Sequence, residues 1–215
     1  MKRIFRCIAA FLFLLYILFL PGRAESANAS VYHNLRNYTV DDGLSSNHVY
    51  GIVQDSIGFI WFGTDNGLCR FDGCEFRSYT HTDGDRSSIS SNNIRRLMLD
   101  SHGQIWLALD NGVDIYTPAT DRFRHFDVRT SDGACVTVYR HVPGDDTSIA
   151  QDYISTIYES KDGTIWIGTY SEGLCAFSKQ TGCFTHYRKE TDGRNCISDN
   201  SIDAITEDSY GTLWL

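Results

Sequence analysis

Gly58-Phe59-Ile60-Trp61 returns as Gly103-Gln104-Ile105-Trp106, as Gly163-Thr164-Ile165-Trp166 and as Gly211-Thr212-Leu213-Trp214. These are the only four tryptophans in the 215-residue chain, and each closes the same phrase, Gly-x-[Ile/Leu]-Trp. Seventeen residues before each stands Leu44, Ile89, Ile149 or Ile197, and twelve before stands Val49, Ile94, Ile154 or Ile202. The tryptophans are 45, 60 and 48 residues apart, within the range of propeller blades.

Around each tryptophan the turn chemistry marks a meander. In the first unit His48 to Gln54 alternates as a strand, and Asp55-Ser56-Ile57-Gly58 is a turn by composition. Phe59 to Gly63 is a second strand, closed by Thr64-Asp65-Asn66-Gly67, and Asn-Gly is a strong hairpin signal. Leu68 to Phe71, the tight turn Asp72-Gly73, and Glu75 to Thr80 complete four antiparallel strands. The second unit starts at Ile89, departs from the pattern with Ala108-Leu109 in place of Gly-Thr, and carries an insertion over 127–138. The third starts at Ile149, and the fourth runs from Ile197 to Leu215, two strands long. Leu35-Arg36-Asn37-Tyr38 repeats the fourth-strand pattern of Phe76-Arg77-Ser78-Tyr79, so the N-terminal segment 25–43 is expected to carry a lone outer strand over those four residues.

A four-stranded sheet of about 40 residues buries too little surface to stand alone, so the units must stack. Radial stacking gives an all-β fold, a β-propeller of four-stranded antiparallel blades. The sequence holds about three full blades, one N-terminal strand and two C-terminal strands: an incomplete ring, expected to be the N-terminal piece of a longer protein. Trp61, Trp106, Trp166 and Trp214 are expected to wedge between neighbouring sheets. Burying roughly 150–250 Å² of indole at about 25 cal/mol per Å² sets an upper bound of roughly 4–6 kcal/mol per blade.

Residues 1–24 read as an export signal: Lys2, Arg3 and Arg6, then an apolar run from Ile8 to Leu20 and small residues ending at Ala24. Its removal leaves 15 basic against 27 acidic side chains, a net of −12. Such a field repels nucleic acid and anionic lipid. Export makes disulfides possible among Cys69, Cys74, Cys135, Cys175, Cys183 and Cys196. Cys69 with Cys74, and Cys175 with Cys183, could lie across hairpins; buried free thiols are the equal alternative. No cofactor or metal motif is found. Thr82-Asp83-Gly84-Asp85 lacks the glutamate of a calcium loop, and no Gly-x-Ser-x-Gly elbow occurs.

The runs Asn47 to Asp55 and Gly58 to Leu68, together with Asp162 to Thr169 and Gly173-Leu174, resemble the two-component regulator propeller repeat. The opening from Tyr38 to Asn47 is similar to how such propellers begin. The resemblance implies a periplasmic sensor region of a hybrid histidine kinase anchored in the inner membrane. It also implies recognition of oligosaccharides and signalling to a kinase region, with a homodimer of the parent possible. Partners would then be a carbohydrate, the remaining blades and the kinase region. An exported propeller enzyme, of lyase or hydrolase type, and an interaction scaffold are the alternatives.

In a meander the second turn of each blade and the blade-to-blade connection emerge on one end of the ring. That end would carry Asp65, Asn66, Asp110, Asn111, Tyr170, Ser171 and Glu172, and the insertion 127–138. Asp and Asn suit such turns for conformational reasons alone. Tyr170 is not required by a tight turn and is the sharpest single candidate for stacking on a sugar.

Overall fold

The structure, a computed structural model, describes residues 36–85, 87–124, 140–190 and 196–215. The expected signal 1–24 and the insertion 127–138 lie outside them. Arg36 and Asn37 are exposed, and all the sheets fall within Tyr38–Leu215. No strand is found over 36–39 among the described residues, and Leu35, where the expected lone strand begins, lies outside them. The ring of Tyr38 rests 5.0 Å from that of Phe71 and 5.5 Å from that of Phe76.

Three four-stranded antiparallel meanders follow in chain order. The first is β1 (Val49–Gln54), β2 (Ile60–Thr64), β3 (Gly67–Phe71) and β4 (Phe76–Tyr79). The second is β5 (Ile94–Leu99), β6 (Ile105–Leu109), β7 (Gly112–Thr117) and β8 (Arg122–Arg124). The third is β9 (Ile154–Glu159), β10 (Ile165–Thr169), β11 (Leu174–Phe177) and β12 (Phe184–Tyr187). A two-stranded ribbon, β13 (Thr206–Glu207) with β14 (Leu213–Trp214), begins a fourth blade. The first strands of successive blades lie against one another, β1 on β5 and β5 on β9. The fold is thus an incomplete propeller, as the repeat requires.

The tryptophans do wedge between sheets. Trp61 is buried in a cluster supplied mostly by the next blade, with Ile94, Ile105, Leu107 and Tyr116. Trp106 is buried among Ile154, Ile165, Ile167 and Phe177 of the third blade. Trp166 packs on Ile202, Ile205 and Leu213 of the fourth unit. Trp214 departs from the rule: it is 60% exposed.

Each indole is also anchored through its nitrogen. Trp61 Nε1 donates to Asp55 (2.8 Å), Trp106 Nε1 to Asp100 (3.1 Å) and Trp214 Nε1 to Asp208 (3.2 Å). The other oxygen of that aspartate ties the preceding turn. Asp55 Oδ1 accepts the backbone N–H of Ile57, Gly58 and Phe59, each at 3.0 Å. In the third blade Ser160 accepts from Trp166 (3.0 Å) and in turn donates to Asp162 (2.6 Å), which takes over part of the turn. One carboxylate therefore couples a tight turn to the blade interface.

Gly63 and Gly168 leave no room for a side chain, against Ile94 and Ile202 of the next unit and, for Gly168, against Thr156 on the neighbouring strand. A Cβ on Gly63 would lie 2.8 Å from Ile94, and one on Gly168 would lie 2.7 Å from Thr156 and 2.8 Å from Ile202. In the second blade Ala108 fills the same place, buried in the cluster that holds Ile154 and Ile157. The threonine after each glycine staples the next turn: Thr64 Oγ1 donates to Gly67 O and Thr169 Oγ1 to Gly173 O, both at 2.8 Å. Leu109 lacks that hydroxyl, so the Ala108-Leu109 departure exchanges a staple for buried apolar surface.

The cysteines follow the thiol alternative. Cys69 and Cys175 are buried on third strands, and Cys74, Cys183 and Cys196 are also free. The suggested hairpin disulfides are not formed, because register sets Cys69 opposite Ser78 and Cys175 opposite His186. Burial pushes the Cys175 thiol up to about 11. Cys135 lies outside the described residues.

Candidate functional site

The first strand of each four-stranded blade carries a β-bulge near its start. Val49 pairs with Thr64 and Gly51 with Gly63, leaving Tyr50 as the extra residue. In the same way Arg95 is extra in the second blade and Ser155 in the third. A bulge re-aims the side chain it carries and recurs beside functional sites. Three positions per blade therefore meet at one end of the sheets. They are the residue before the first strand (His48, Asn93, Tyr153), the bulged residue (Tyr50, Arg95, Ser155) and the opening residue of the second turn (Asp65, Asp110, Tyr170).

In the first blade His48 Nδ1 lies 3.0 Å from Asp65 Oδ2. The Asp65 carboxyl is held below its usual range, chiefly by the hydroxyl of Ser46, with His48 adding to it. Asn66 turns inward: its amide Nδ2 donates to Ser45 O at 3.0 Å. Asn111 does the same with Ser90 O at 2.9 Å, while its Oδ1 is buried without a hydrogen-bond partner. Both asparagines brace the turn against the segment leading into the first strand. Asp110 is exposed. Glu172 forms an ion pair with Arg188 (3.2 Å) in which both side chains are nearly half exposed.

The third blade brings together what the second turn alone did not reveal. Tyr170 is 61% exposed, and its ring stands 5.6 Å from that of Tyr153 at 73°. Tyr170 N donates to Tyr153 O at 3.2 Å, which fixes the two residues side by side. The Arg95 guanidinium carbon also lies over Tyr153, 5.1 Å from the ring centre. Arg95, Tyr153 and Tyr170 thus form a continuous aromatic and cationic surface across the second and third blades. Sequence reasoning found Tyr170 and missed the other two. Aligning the repeats on tryptophan would have found them, since Tyr153 and Arg95 fall at positions where neighbouring blades carry quite different side chains.

A second cluster occupies the opposite end. Asp100, His102 and Glu159 offer ligand atoms within 4.8 Å of one another. The Lys179 ammonium already sits among them, 3.2 Å from Asp100 Oδ2, 2.8 Å from Glu159 Oε1 and 3.2 Å from His102 Nδ1. Glu159 also accepts from Ser101 N (2.6 Å) and Ser101 Oγ (2.8 Å). This is an electrostatic clasp between the second and third blades, with a lysine where a cation would bind.

Stacked four-stranded meanders with an interblade tryptophan define a β-propeller repeat protein. Residues 43–66 and 148–171 match the family model of the two component regulator propeller. The extracellular domain assigned to the hybrid two component system BT3049 from B. thetaiotaomicron is similar at 28% identity and a TM-score of 0.69, over 83% of this chain. That of BT4673 from the same organism is similar at 25% identity and a TM-score of 0.58, over 78% of this chain. A 54-residue stretch, 25% of this chain, is 44% identical to histidine kinase P4 from Formosa agariphila. The chain is homologous to extracellular sensor domains of two-component systems. It spans 23% and 22% of the two solved chains and 4% of the kinase. Among the described residues no helix is long and apolar enough to cross a membrane.

Proposed function

We propose that this chain is the ligand-sensing propeller segment of an extracytoplasmic sensor, exported to the periplasm by residues 1–24, which binds an oligosaccharide and signals to a histidine kinase region. In this reading residues 25–43 lead into repeats 44–88, 89–148 and 149–196, and 197–215 begins the next. The observation that carries it is the exposed Tyr170 held against Tyr153 at the bulged end of the sheets. Sugars present apolar faces ringed by hydroxyls, and aromatic rings beside directed polar groups are the complementary surface. Asp65 with His48, exposed Asp110, and Glu172 with Arg188 supply polar groups at the same end.

Titration calorimetry of the intact mature protein against a panel of oligosaccharides tests the reading. Saturable heat with at least one oligosaccharide, weakened by Tyr170→Ala, is expected. No heat across neutral and acidic members alike removes the sugar claim and leaves the scaffold alternative.

A further inference from the structure

Taking the sugar-binding reading of this face as its premise, we infer that the ligand carries an acidic group, a carboxylate or a sulfate ester, and that Arg95 receives it. Arg95 is half-buried, yet its Nε is enclosed without a hydrogen-bond partner. It makes no ion pair among the described residues, in a chain with 27 acidic side chains. Other cations near carboxylates here are matched: Lys179 with Asp100 and Glu159, Arg77 with Asp121, Arg188 with Glu172. Arg70 shares both features, a ring stack on Phe59 and an enclosed Nε without a partner, so what distinguishes Arg95 is its place at the bulged loop end rather than in the middle of a strand.

The bulge places Arg95 at the start of β5, and its guanidinium lies over the Tyr153 ring. Arg96 Nη1 donates to Arg95 O at 2.9 Å, keeping a second cation against the same strand. A partly desolvated cation without a counter-ion is costly, and an incoming anion relieves that cost. A planar guanidinium takes a carboxylate or sulfate through two parallel hydrogen bonds, while Tyr153 and Tyr170 offer their rings to the sugar. This accounts for how a protein of net negative charge would attract an acidic saccharide: one half-buried guanidinium without a counter-ion overrides the long-range field locally.

The test compares three probes of equal length on the intact mature protein: an oligogalacturonate, a chondroitin sulfate oligosaccharide and a neutral xylo-oligosaccharide. Binding of an acidic probe is expected. Arg95→Gln should weaken it by at least about tenfold and Arg95→Lys by less, because lysine keeps the charge and loses the fork. The oligogalacturonate and sulfate arms separate the two acid types. Tyr170→Ser, at an exposed position, should weaken the acidic probe without altering the melting temperature, so the site remains testable should Arg95→Gln fold poorly. Acidic binding indifferent to both Arg95→Lys and Tyr170→Ser overturns the inference. So does preferential binding of the neutral probe, which leaves the sugar-sensing reading standing. Failure of all three probes removes both.

Discussion

Replacing Asp100 by alanine tests the link between turn and interface most directly. The side chain is fully buried, with Oδ1 accepting from His102 N (3.0 Å) and Gln104 N (2.8 Å). Its Oδ2 accepts from Trp106 Nε1 and from Lys179. Truncation leaves the indole N–H in the core without an acceptor, at about 1–3 kcal/mol. The two turn amides lose a charged acceptor but lie near water, and Lys179 retains Glu159. The expected total is about 3–5 kcal/mol, the range for breaking a buried charged network by removing one partner. Urea unfolding of the intact mature protein reads it. A double-mutant cycle with Trp106→Phe should show a coupling of about 1–2 kcal/mol, since both changes remove the same hydrogen bond. A loss under about 1 kcal/mol for Asp100→Ala, or strictly additive losses in the cycle, would refute the idea that the carboxylate ties turn to interface.

Acidification should act through the same clasp. Burial pushes the Asp100 carboxyl up, but Gln104 N–H, the Trp106 indole and Lys179 outweigh it and hold it below its usual value; Glu159 is likewise held low against burial by Lys179 and Ser101. A depressed folded value means the stabilisation is complete above about pH 4–5 and fades as pH falls through the folded values, so urea midpoints should drop below pH 4 and drop less in Asp100→Asn. Gly67→Ala should cost about 2 kcal/mol or more, because φ is +98° and a Cβ would lie 2.4 Å from Tyr79 O; an unchanged unfolding midpoint would contradict the turn geometry. Gly168→Ala should cost about 1–3 kcal/mol by overpacking against Thr156 and Ile202, as read by thermal melting. Trp106→Ala should cost about 3–5 kcal/mol on denaturant titration, and Trp214→Ala much less, since the one is buried and the other 60% exposed.

Much of this architecture was legible because its signals are local. Gly-x-[Ile/Leu]-Trp and the Asn-Gly and Asp-Gly turns report backbone conformations that few residues can adopt, so strands and blade boundaries follow from them. The aspartate that anchors three of the four indoles stood in the same turn, six residues upstream, but its second role joins two sheets and is invisible to turn chemistry. The site was legible in part for the same reason. Tyr170 betrays itself because no turn needs a tyrosine. Asn66 and Asn111, expected at the ligand face, direct their Nδ2 groups into the scaffold instead. Arg95 was hidden because a bulge, not the strand's alternation, sets its direction.

The repeats supply their own comparison of what is held constant and what is free. Aligned on tryptophan, the anchoring position reads Asp55, Asp100, Ser160 and Asp208, and the wedge is tryptophan throughout. In the three full blades these residues satisfy the indole donor and pack against the next unit, which every full blade must do. The three positions at the bulged end read His48, Tyr50, Asp65, then Asn93, Arg95, Asp110, then Tyr153, Ser155, Tyr170. Nothing in the meander constrains them to one chemistry, and the three blades use three: an imidazole–carboxylate pair, a guanidinium and a pair of phenols. A symmetric scaffold that presents unlike groups around one end is suited to an unsymmetrical ligand. Exchanging the sets between blades therefore offers a sharp test: grafting Asn93 and Asp110 onto positions 153 and 170 should leave the melting temperature within a few degrees while abolishing saccharide binding. Intact binding by that graft would place recognition elsewhere on the protein.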